Sequence, residues 1–84
     1  MNPDAYDWKP VGVVSEGEPL EIGGVNVWSH EWESLNEPIE LPHPTYPSEH
    51  LRHFIVYRIP GPNRHIMFAA GELSPNIWGF YVAA

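Results

Sequence analysis

The chain has 84 residues, with four Lys or Arg against eleven Asp or Glu and a net charge of −7. That is the size of one domain, and so few cations disfavour binding to nucleic-acid phosphates or anionic membranes. Without a cysteine there are no disulfides and no cysteine zinc sites, and for so small a domain this points to a reducing, cytoplasmic setting.

Four Trp, four Tyr and three Phe supply the bulk that a small core needs. Ten prolines and seven glycines cut the rest into short apolar pieces, which favours strands over long helices. The acidic residues are spread along the chain, as on a solvated surface, rather than gathered in a block. Met1 to Asp7 lacks the basic start and apolar core of a secretory signal. No apolar run reaches the ~18–20 residues of a membrane span.

In chain order, residues 1–10 read as an arm that Trp8 pins to a β body over residues 11–84. Val11–Val14 is a short strand, and Ser15–Pro19 turns the chain. Leu20–Ile22 alternates like a half-buried strand, and Gly23-Gly24 is a tight turn or a bulge. Val25–Trp32 reads as one strand, with Val25 and Val27 on one face and Trp28, His30 and Trp32 on the other. Glu33–Glu37 is a loop or a helical turn that ends before Pro38. Ile39–Leu41 suits a sheet edge, and Pro42, Pro44 and Pro47 forbid a central strand.

Leu51–Ile59, Arg64–Gly71 and Ile77–Ala83 form a C-terminal antiparallel meander, with turns at Pro60–Asn63 and Leu73–Asn76. A short helix is the competing reading for residues 47–56. The apolar stretches Ile66–Ala70 and Ile77–Val82 demand cover on both faces, and Trp78 belongs in the core. The fold class is all-β: a small antiparallel sandwich or partly open barrel of roughly five to six strands, with N-terminal strands covering the meander.

Three constellations bear on function. His43, His50 and His53 with Glu49 form the candidate metal set for a divalent transition metal such as Zn, helped by His30 or His65. On a helix His50 and His53 would share a side; on a strand they would diverge. Ser48-Glu49-His50 has the residue types of a catalytic triad, but adjacent residues do not converge as a triad must, so no catalytic residue is assigned. Trp28, Trp32 and Tyr46 could form an aromatic platform, for a sugar ring or a partner surface. Arg52 and Arg58 suit cross-strand pairing with Glu21, Glu31 or Glu40, and Arg52 with His50 or Arg64 could hold an anion.

The leading expectation is a soluble, non-enzymatic binding or protein-interaction module without a cofactor. Its surface would join the Pro/His-rich loop 42–53 to exposed aromatics: Trp32, Tyr46, His43, His50 and Arg52. The partner would be another protein or a second copy in a homodimer. The alternative is a metal-binding protein or small metal-dependent enzyme that uses His43, Glu49, His50 and His53.

Overall fold

Strands that are apolar on both sides pair first with one another, and three such strands close the C-terminal half of this chain. The computed structural model describes residues 7–46, 48, 50–60 and 65–83. β1 is Trp8–Ser15, β2 Glu21–Ile22, β3 Val25–Asn26, β4 Glu33–Leu41, β5 Arg52–Ile59, β6 Ile66–Ser74 and β7 Ile77–Ala83. One antiparallel sheet has the order β1-β7-β6-β5-β4, and β2 and β3 form a separate hairpin. The all-β reading and the β5-β6-β7 meander hold. The architecture is one sheet with a small hairpin against it.

The elements differ from expectation at four places. β1 starts at Trp8, so the end of the expected arm is part of the sheet. The expected strand Val25–Trp32 stops at Asn26 and becomes a single 3₁₀ turn over Val27–Ser29. The Asn26 side chain causes this. Its Oδ1 accepts from Leu20 N and Trp28 N, each at 3.3 Å, and its Nδ2 donates to Ser29 Oγ at 3.1 Å. Asn can cap a turn in this way because its short side chain reaches nearby backbone N–H groups. Gly23-Gly24 makes the tight hairpin turn, with φ of 62° and 86°.

Glu33–Glu37 belongs to β4, interrupted by a register shift between Ser34 and Pro38 with Asn36 at φ 55°. Pro38 is tolerated there because β4 is an edge and needs no outward N–H bond. The alternative helix does not form: β5 occupies Arg52 onward. β6 runs on to Ser74, and Asn76 at φ 64° turns the chain into β7. The expected Pro60–Asn63 turn falls largely on Gly61 to Asn63, outside the described residues.

Alternation then gives each face of the sheet its own core. The first face carries Ile59, Phe68, Ala70 and Phe80, covered by Ile22 and Val27 from the hairpin and its 3₁₀ turn. Trp28 and Trp32 pack over it. Trp32 lies 5.1 Å from Phe68, 5.2 Å from Tyr57 and Trp28, 5.8 Å from Phe80 and 6.1 Å from Trp78, centre to centre. Such ring pairs contribute roughly 0.5–1.5 kcal/mol each beyond burial. The indole N–H of Trp32 donates to Val27 O at 2.7 Å, tying the cluster to the turn. The second face carries Ile39, Phe54, Val56, Ala69 and Tyr81.

The two indoles differ in one testable respect. Trp28 Nε1 is buried with no hydrogen-bond partner among the described residues, whereas Trp32 Nε1 has one. Trp32→Phe therefore destabilises the fold more than Trp28→Phe, by about 1–2 kcal/mol in urea unfolding. Equal losses would show that the Trp32 bond to Val27 contributes nothing.

Candidate functional site

β4 and β5 are joined by residues 42–51, of which 47 and 49 lie outside the described residues. The start of this connection, Pro42 to Pro44, lies against the second face of the sheet. The Tyr81 hydroxyl, on β7, donates to Pro42 O at 2.7 Å. Gly71 and Gly79 are cross-strand neighbours on β6 and β7, and they leave a gap on that face. A Cβ on Gly79 would stand 3.1 Å from Pro44 Cγ and 2.9 Å from Leu73 Cδ1, and one on Gly71 would stand 3.1 Å from Phe54 Cδ2. The paired glycines therefore make the seat for the Pro44 and Phe54 rings.

His43 holds the bend of this loop. Its Nδ1 accepts from Thr45 N at 3.1 Å and Tyr46 N at 3.2 Å, which places the ring proton of neutral His43 on Nε2. Tyr46 packs on the same imidazole, with centres 5.0 Å apart, and is otherwise exposed. Arg52 sends Nη1 to Leu73 O at 3.1 Å, bracing the start of β5 against the end of β6. Both residues expected in a contact surface thus have structural work within the loop and its root.

The other expected site residues separate. His50 is exposed beside the loop's last residue, Leu51. His53 lies on β5, with Nδ1 3.7 Å from Glu40 Oε1 on the neighbouring strand, both side chains being mostly exposed. Glu49 lies outside the described residues. Among the described residues no three His, Asp or Glu stand close enough to share a metal ion. Of His43, only Nε2 would be left for such a role. Of the candidate catalytic trio, Ser48 and His50 are exposed and Glu49 is outside the described residues.

Trp32 is removed from Tyr46 by the sheet itself. Its ring belongs to the first face, and the loop that carries Tyr46 covers the second. The expected surface therefore divides in two. The part of Trp32 that stays uncovered borders a shallow hollow of about 140 Å³ with Glu31, Glu33 and Pro60. A second hollow of about 150 Å³ lies between Ile22, Gly23, His65, Ile66, Met67, Val82 and Ala83. Arg58 pairs with Glu33, its direct register partner on β4, and not with Glu21, Glu31 or Glu40.

Sequence reasoning had no signal for the role of Tyr81, because a strand tyrosine looks the same whether or not its hydroxyl finds a distant carbonyl. No helix among the described residues is long and apolar enough to cross a membrane. Comparison with protein-family models, with curated proteins and with solved structures finds no match.

Burial pushes the Tyr81 hydroxyl above its ordinary value of 10.0. The folded chain thus holds this proton more tightly than the unfolded chain. The resulting stability is complete below pH 10 and is lost as pH rises through the folded-state value. Tyr81→Phe costs about 1 kcal/mol near neutral pH through the lost bond to Pro42. In urea melts from about pH 7 to about pH 11 the gap between the two proteins narrows above pH 10. A gap independent of pH would contradict a buried, bonded hydroxyl.

Proposed function

We propose that this chain is a small, non-enzymatic protein-interaction module whose contact surface is the β4–β5 loop. One observation carries the reading. Tyr46 and Leu51, 58% and 59% exposed, are the exposed large hydrophobic residues among the described ones, and both sit on this loop. Exposed apolar groups on an anchored loop are what a partner covers, because burying them there costs little further ordering. The anchors are the Tyr81–Pro42 bond, the Pro44 ring over Gly79 and the His43 acceptor at the bend. Tyrosine suits such a role, since it brings large area with few rotamers.

The partner that fits best is a different protein. Both edge strands of the five-stranded sheet are blunted against pairing with a second copy. β1 has Pro10 and a register shift between Pro10 and Gly12, and β4 has Pro38 and a shift between Ser34 and Pro38. Proline and bulges are the usual protection of an edge. A homodimer would have to form through the loop instead.

The test is the double variant Tyr46→Ala, Leu51→Ala. Both side chains are exposed, so the melting temperature should fall by no more than about 2–4 °C. A partner captured by the wild-type chain should bind the variant at least about tenfold more weakly. Undiminished capture by a folded variant would remove the loop from the contact surface.

A further inference from the structure

The hollow beside Trp32 has a chemistry that the loop lacks. It is lined by Trp32 and Pro60 together with two acidic residues, Glu31 and Glu33. The Trp32 ring packs against five neighbouring rings and donates to Val27 O. Glu33 is bound to Arg58, which already shows this rim accepting a cationic side chain. Glu31 is exposed and has no hydrogen-bond or ion-pair partner among the described residues. Glu21 shares this condition, whereas Glu16 accepts from Trp78 Nε1, Glu18 from Ser15 N and Glu72 from Asn76 N.

We propose that this hollow receives a lysine side chain of a partner protein. A lysine is an apolar stem that ends in a compact cation, so it packs along ring carbons while its head reaches an acidic rim. The indole and Pro60 take the stem, and Glu31 takes the ammonium. Glu33 adds to the field, less so because Arg58 offsets it. A single free carboxylate suits a point charge better than the planar fork of an arginine, which pairs best with two carboxylate oxygens in line. The whole chain favours such a partner, since its net charge of −7 draws basic surfaces toward it. This site lies on the face opposite the loop and stands or falls separately from it.

The experiment is an NMR titration of the full chain, read at the Trp32 indole N–H. The probes are a short peptide with two lysines between glycines and the same peptide with norleucine in their place. The lysine peptide should give a saturable shift. Glu31→Gln should weaken it about fivefold, and raising the salt should weaken it further. The norleucine peptide should leave the resonance in place. Glu31 is exposed, so its replacement leaves the fold intact, and an unchanged spectrum elsewhere verifies that. An equal shift with norleucine, no saturable shift with lysine, or an undiminished shift in Glu31→Gln would each overturn the assignment. None of these readouts depends on Tyr46 or Leu51.

Discussion

The structure depends on one constraint: its central strands are apolar on both faces, and the second sheet among the described residues is only the two-stranded β2–β3 hairpin. Phe68, Ala69 and Ala70 are consecutive on β6 and all buried, so each face of that strand must be covered. Two short segments provide the cover. The β2–β3 hairpin and the Val27–Ser29 turn close the first face, and the loop after β4 crosses the second. Each is secured by a side-chain hydrogen bond to a backbone carbonyl, Trp32 to Val27 on one side and Tyr81 to Pro42 on the other. In a domain of this size, about 1 kcal/mol from such a bond is a large share of the net stability.

This arrangement also decides where function can sit. The inner strands are enclosed, and the edges carry prolines and register shifts. The proposed recognition surfaces therefore lie on the outer side of the covering segments. Pro42 and Pro44 seat the start of this loop on the sheet, and Tyr46 and Leu51 stay exposed beyond it. In the aromatic cluster on the other face Trp32 is partly uncovered next to acidic residues. The two surfaces are chemically different, one with exposed Tyr46 and Leu51 and one with Trp32 beside Glu31 and Glu33, and the sheet keeps them apart.

Much of this was legible in the residues. The apolar runs at Phe54–Ile59, Ile66–Ala70 and Ile77–Val82 read as strands because they are rich in β-branched and aromatic residues. The prolines after Leu41 exclude a central strand for the same kind of local reason. The errors lie where a non-local or side-chain bond overrides the pattern. Alternation through Val25–Trp32 reads as one strand, but the Asn26 side chain bends the chain after two residues. Trp32, flanked by Glu31 and Glu33, reads as partly exposed and is half-buried. What its local sequence does not show is the five rings around it, which come from β5, β6, β7 and the turn. The histidines near one another in sequence do not meet, because His43 is spent on the bend and His53 stands on a strand. That the loop doubles back is encoded in Gly71 and Gly79, which look unremarkable until their pairing across β6 and β7 is known.

The account turns on the loop being seated on the sheet while its outer residues stay exposed. The most direct measurement is the set of nuclear Overhauser contacts of the Pro44 ring in the free protein. The account predicts contacts from Pro44 ring protons to Gly79 and to the Leu73 methyls, with no contacts from Leu51 to core residues. A Pro44 ring without contacts to β7, or a Leu51 side chain packed into the core, would contradict it.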